Sequence, residues 1–321
     1  MLLGSRIGGE KMKQIKLSDP INLKELLESY NRSMNSMVCM QIGCDEKVYI
    51  LLSAHVPERI RGMFVNTEAN SNYSSIILNV DWTEGKVVGH TLVDLGQHKM
   101  NFHMIQPIRE HILLLGARCR FRGEDGPEKN AAVVDFHGNV IRELCLGDGI
   151  QDCIVTKGGN IITSYFDEGV FGNYGWDNPI GCNGLIVWND DGDIIWQANK
   201  DICDCYAMNL DDCGNLWYYY YTDFNLVKTD LKEETVYTPQ IKGASGFLIT
   251  SDMGRILFDG GYNKHGDFQT ASLCGDKIID YENVQLLYGD KYLLNKNFHF
   301  MKSKAIFLDS DNRLFAKWFI S

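Results

Sequence analysis

The chain has little of what usually marks a linker-rich protein, a membrane protein, a nucleic-acid binder or a metalloenzyme. Only six of its 321 residues are proline and 45% are hydrophobic, which excludes a disordered or low-complexity composition. Basic residues are the scarcer sign: 31 Lys and Arg stand against 42 Asp and Glu, a net charge of −11. Phosphate backbones are gripped by clustered Lys and Arg that release counterions, so nucleic acid is not an expected ligand. No apolar run approaches the roughly 18 residues of a membrane span. The opening MLLGSRIGGEKMKQIK offers only Leu2 and Leu3 before glycine and charge, short of the ~7–15 apolar residues of a secretory signal. A cytoplasmic protein without membrane contact is the expectation, with Met12 as an alternative initiator because the stretch before it has no clear pattern.

Catalytic signatures are also lacking. The histidines, His55, His90, His98, His103, His111, His137, His265 and His299, form no H-x-E or H-E-x-x-H pattern, and no G-x-S-x-G elbow occurs. Gly158 and Gly159 make a hairpin turn with no helix behind them, which does not cradle a phosphate. The ten cysteines lack the paired C-x2-C spacing of a zinc site. Cys39, Cys119, Cys145, Cys153 and Cys205 lie among apolar residues, where a free thiol behaves as a small hydrophobe, and a chain of this length needs no disulfide framework. No cofactor is expected.

What the chain does have is a repeated phrase. VVDFHGNVI (133–141), IVWNDDGDII (186–195), ILNVDWTEGKVV (77–88) and FLDSDNRLFA (307–316) each join two apolar, β-branched or aromatic stretches through Asp, Asn or Gly. That is the short-range signature of a β-hairpin. A second phrase precedes two of them: IQDCIVTKGGNIITSYF from Ile150 and ICDCYAMNLDDCGNLWYYY from Ile202, whose Asp-Cys pairs lie 204 − 152 = 52 positions apart. Fainter copies begin near Val38, Phe102 and Gly246, with a poorly marked start near Gln285.

One hairpin of each kind per unit gives about four strands over roughly 40–65 residues, and in this the chain resembles β-propeller repeat proteins. The resemblance implies an all-β propeller of about six four-stranded blades, five or seven being possible, over residues 37–321. It rests on pattern and names no particular family, since the Gly-His and Trp-Asp pairs of WD40 blades are missing. Residues 1–36 read as an extension. Ser18, Asp19 and Pro20 signal a short helix through Leu23, Leu26, Leu27 and Tyr30, and Gln14 to Leu17 is an expected strand that pairs with the last blade.

The resemblance also implies binding at one rim, where loops leading to the inner strands converge. Asp152 and Asp204 would open the inner strands of adjacent blades, with the distinctive loop FDEGVFGNYGWDNPIGC (166–182) between them. Its Asp167, Glu168, Phe171, Tyr174, Trp176 and Asp177 combine aromatic anchors with carboxylates, the composition of a site that selects a basic protein partner. A non-catalytic scaffold follows, with an inhibitor or immunity-type protein of a basic toxin as its concrete form.

Alternatively, Asp152, Asp204 and Glu168, with Asn183 or Asn209, supply oxygen ligands for Ca2+ or another divalent cation in a lactonase- or esterase-like hydrolase. A third reading is carbohydrate binding through an exposed Trp176 and neighbouring tyrosines. The run Trp217 to Tyr221 reads chiefly as packing, because alternate residues of a strand face two neighbours that are both buried.

Overall fold

A computed structural model of the protein describes residues 4–7, 10–60, 63–64 and 66–321. Its sheets grow from the repeated turn. At Asp135, Asn189, Asp211 and Asp309 the side-chain Oδ1 accepts the backbone N–H groups two and four residues further on, at 2.8–3.0 Å. One short polar side chain thus satisfies donors that strand pairing leaves open. Three residues after it the backbone turns left-handed, at Gly138 (φ 80°), Gly192 (88°), Gly214 (89°) and Asn312 (60°), which is why glycine or asparagine recurs there.

Among the described residues six blades result, each with four antiparallel strands; five are four-stranded sheets and the fifth blade is the antiparallel part of a seven-stranded sheet, and the fold class is the β-propeller. Blade 1 comprises Met37–Ile42, Val48–Ser53, Glu68–Asp81 and Lys86–Met100. Blade 2 is Met104–Ile108, His111–Leu115, Ala131–Val134 and Val140–Leu144, and blade 3 is Ile150–Val155, Ile161–Tyr165, Leu185–Trp188 and Ile194–Gln197. Blade 4 is Asp204–Leu210, Leu216–Tyr221, Leu226–Thr229 and Glu234–Tyr237, and blade 5 is Phe247–Ile249, Arg255–Asp259, Phe268–Cys274 and Lys277–Tyr288. Blade 6 is Asn295–Met301, Lys304–Asp309 and Arg313–Trp318, completed by Ile21–Asn22.

The chain divides into two compact units, one of residues 1–29, 80–88 and 206–321 and the other of residues 30–79 and 89–205. In the second unit the period of two is visible in the cores. Leu113, Leu115 and Val133 join Ile150, Cys153 and Trp188 on one face of blade 2, while Ile112, Leu114 and Val134 join Tyr49, Leu51 and Phe102 on the other. In the first unit Trp217 and Tyr219 pack with Phe247 and Phe258, and Leu248 and Leu257 pack with Phe300 and Phe307. The aromatic run therefore fills a core up to Tyr220, with Tyr221 emerging at its end.

Three details of the termini and boundaries differ from expectation. Gln14–Lys16 does not pair with the last blade: Glu10–Lys16 runs parallel to the outer strand of blade 5, Gln14 opposite Gln285, with Leu17 buried in the core of blades 5 and 6. Gly4–Ile7 adds an antiparallel strand outside it. Ile21–Asn22 instead completes blade 6, and that blade starts at Asn295 because Gln285 belongs to the long outer strand of blade 5. The short helix α1 spans Leu23–Ser29, with Leu23, Leu26 and Leu27 buried. Its cap is Asn22 and not Ser18: Asn22 Oδ1 accepts the Glu25 N–H at 3.2 Å while the Asn22 side-chain amide donates to Glu25 Oε1 at 2.7 Å. Among the described residues no helix is long and apolar enough to cross a membrane.

Candidate functional site

The loop between the second and third strands of blade 3 is ordered by groups that sequence reasoning did not single out. Phe166 precedes a five-residue helix, α2 (Asp167–Phe171), and a 3-10 turn follows at Ile180–Asn183. Gly149 and Gly169 let α2 sit directly on the preceding backbone. A Cβ on Gly169 would come within 2.5 Å of the Asp148 carbonyl oxygen, and one on Gly149 within 2.3 Å of the Gly169 nitrogen.

Under the loop lies Arg118, only 1% exposed, whose guanidinium donates to Asp148 at 2.9 Å and to Glu168. The ring of Tyr174 covers it at 4.0 Å, with Phe166 at 5.4 Å. Cys119 extends the clamp. Its N–H donates to Asp148 at 2.7 Å, and its carbonyl accepts the indole N–H of Trp176 at 2.7 Å. The Phe121 N–H donates to the Tyr174 carbonyl at 3.0 Å, and the Phe121 and Trp176 rings meet at 5.2 Å. Burial pushes the Asp148 carboxyl up to about 6 although Arg118 pulls the other way.

The six residues expected at a partner surface therefore divide. Glu168, Tyr174 and Trp176 turn inward onto Arg118 and Cys119, whereas Asp167, Phe171 and Asp177 are exposed, Phe171 by 68%. The expectation of an exposed Trp176 is corrected: it is 8% exposed, because its indole closes the loop on the chain's own backbone.

The carboxylates expected to gather around a cation are held in three separate arrangements. Asp152 accepts from the Gln41 amide at 3.2 Å and from the Cys153 N–H at 2.8 Å. Gln41 also accepts the Ile105 N–H at 2.8 Å, so one side chain ties the inner strands of blades 1, 2 and 3. Asp204 instead lies near Asp167, and Glu168 is committed to Arg118. Burial raises both aspartates to about 7, with the Asp167 charge adding to the effect at Asp204. The two asparagines are occupied as well. Asn183 donates to the Ala198 carbonyl, and in the other unit Asn209 donates to the carbonyls of Phe247 and Lys302 while accepting the Leu210 and Lys302 N–H groups. Among the described residues no three His, Cys, Asp or Glu side chains come together as a metal site needs.

Arg118 and Asp148 were missed, though a signal existed. In LLLGARCR a cation follows an unbroken apolar run, and a charge in such a place calls for a buried carboxylate partner.

Neither a family model nor a curated protein matches the sequence. Solved structures resemble it at the level of fold. A chain of a mitotic checkpoint complex aligns with a TM-score of 0.49 and 8% identity, over 87% of this chain and 86% of that one. Hsv2p of Kluyveromyces lactis aligns at 0.46 and 11% identity, over 88% and 74%. Virginiamycin B lyase of Staphylococcus aureus aligns at 0.45 and 11% identity, over 86% and 82%.

Proposed function

We propose that the protein is a non-catalytic propeller scaffold that receives a basic protein partner on the 166–184 loop. The reading rests on the state of Asp204. Among the described residues its Oδ1 is buried without a hydrogen-bond partner, and the Asp167 carboxylate adds to the effect of burial in holding its proton. A lysine or arginine brought in by a partner relieves that repulsion, and the protruding Phe171, in the same short helix as Asp167, supplies an apolar anchor. Behind these groups the Arg118 clamp keeps the loop in one shape, which lowers the entropy cost of binding. The net charge of −11 speeds encounter with a cationic partner. An inhibitor of a basic toxin, such as a nuclease, is the version that fits this chemistry most closely.

The same facts weigh against the cation-dependent hydrolase. Glu168, one of its three expected carboxylate ligands, is held by Arg118 and is not free to turn toward Asp204.

The pH dependence of binding follows from linkage. A bound cation favours the ionised form of Asp204, whose native pKa is about 7, so affinity rises between roughly pH 6 and 8. The test is capture of a partner by the purified chain, then titration of that partner against wild type, Phe171→Ala, Asp167→Lys and Asp204→Asn. Weakened binding in the first two variants and a flattened pH profile in the third are expected. Equal affinity for all four proteins, or turnover of a small ester or lactone that Asp204→Asn abolishes, sinks the proposal.

A further inference from the structure

The unit holding residues 206–321 carries an exposed surface of different composition. Tyr206 lies in the first strand of blade 4, Tyr221 ends the second, Phe224 sits in the turn after it, and Tyr262 follows the second strand of blade 5. Their rings pack on one another. Tyr206 and Tyr221 are nearly parallel at 16° and 6.4 Å, and Tyr262 stands edge-on to Tyr206 at 6.1 Å and to Phe224 at 6.0 Å. This mutual packing holds the rings in place while leaving Tyr221 41% and Tyr262 48% exposed. Gly243 seats the outermost ring, since a Cβ there would come within 2.4 Å of a Tyr262 ring carbon. The hydroxyls of Tyr206 and Tyr262 are hydrogen-bonded to each other at 2.5 Å.

Three residues beyond Tyr262 is an oriented polar group. His265, about half exposed, places Nδ1 2.7 Å from Oδ2 of the fully buried Asp259. That carboxylate also accepts the Ser245 hydroxyl at 2.9 Å and the Gly266 N–H at 2.8 Å. A carboxylate accepts, so the Nδ1 proton points toward it and the ring's other nitrogen, Nε2, is left to bond a hydroxyl.

We propose that this surface is a binding site for a neutral oligosaccharide, whose pyranose rings stack on Tyr221 and Tyr262 while their hydroxyls bond to the tyrosine pair and to His265. Flat C–H faces edged by hydroxyls match aromatic rings edged by phenols and an imidazole nitrogen. An organic cation is disfavoured, because the Lys242 ammonium already lies 5.6 Å from the centre of the Phe224 ring. The rings also pack edge to face on each other and do not enclose a cage. The site stands apart from the proposed role of the 166–184 loop and does not depend on it.

The experiment is retention of the full chain on immobilised maltohexaose, cellohexaose and mannohexaose, followed by titration with the retained sugar. Retention on at least one sugar is expected, weakened roughly tenfold by Tyr221→Ala and by Tyr262→Ala, or about 1.4 kcal/mol each. Tyr262→Phe and His265→Gln should weaken it less, Phe171→Ala should leave it unchanged, and all variants should still unfold in one cooperative transition above the binding temperature. No retention on any of the three sugars overturns the proposal. So does retention indifferent to both alanine variants, or a protein partner whose binding Tyr262→Ala abolishes while no sugar is held.

Discussion

The inward and outward halves of the 166–184 loop are built from the same residue types and do opposite things. Glu168, Tyr174 and Trp176 are acidic and aromatic, and all three serve the fold by enclosing Arg118 and closing on Cys119. Asp167, Phe171 and Asp177 have the same chemistry and remain exposed. Residue type alone does not separate structural from partner-facing positions. What separates them is whether a buried cation or a backbone acceptor lies within reach, and Arg118 provides that only on the inner side.

The comparison breaks most severely if Arg118 is removed. Arg118→Ala leaves Asp148, itself 1% exposed, as an uncompensated buried carboxylate, and loss of one partner from such a pair costs about 3–5 kcal/mol. Urea unfolding monitored by fluorescence should show that loss, and adding Asp148→Asn should recover part of it. A loss under 1 kcal/mol would mean the clamp does not hold the loop. Trp176→Ala removes a buried indole together with its hydrogen bond to Cys119, and a cost of about 3 kcal/mol is expected from the cavity left behind. Near-neutral behaviour of this variant would place Trp176 with the outward half.

Most of the fold was legible, and for a definite reason. Strand alternation and the Asp or Asn turn are local codes: Asp135, Asp211 and Asp309 each satisfy N–H groups within four residues, so the sequence window that contains the residue contains its partners. The candidate site was less legible because its partners are distant in sequence. Glu168 is answered by Arg118 fifty positions earlier, and Trp176 by the Cys119 carbonyl fifty-seven earlier. The aromatic surface around Tyr262 was hidden for the same reason, since Tyr206 and Tyr262 meet across fifty-six residues. At the N-terminus the error was one of competition. Ser18 and Asp19 are good caps, but Asn22 accepts the Glu25 N–H and its side chain is held by the Glu25 carboxylate, at the start of the helix that buries Leu23, Leu26 and Leu27.

Asp204 sharpens the comparison at the next level of effect. Its native pKa of about 7 lies above the roughly 3.9 of an unfolded chain. The folded state therefore holds the proton more tightly, and the stabilisation is complete below about pH 4 and is lost as pH rises through about 7. Asparagine does not ionise, so Asp204→Asn should match wild type at pH 4 and exceed it at pH 8 by about 1 kcal/mol or more after allowing for solvent screening. Calorimetry at the two pH values decides the matter. A variant that is less stable at pH 8 would show that Asp204 has a compensating cation, and the proposed role of a basic partner would lose its motive.

Phe171 should give the smallest stability change and the clearest functional one. At 68% exposure its ring has few neighbours to lose, and a surface substitution of this kind stays within about 0.5 kcal/mol. If the outward half meets a partner, Phe171→Ala lowers that affinity by roughly tenfold or more, because an aromatic anchor buried at an interface commonly contributes over 1 kcal/mol. If the outward half is only a solvated edge, stability and binding are both indifferent to the change. Measuring the two quantities on one protein separates these cases, since the residues that hold the loop should move stability and this one should move affinity alone.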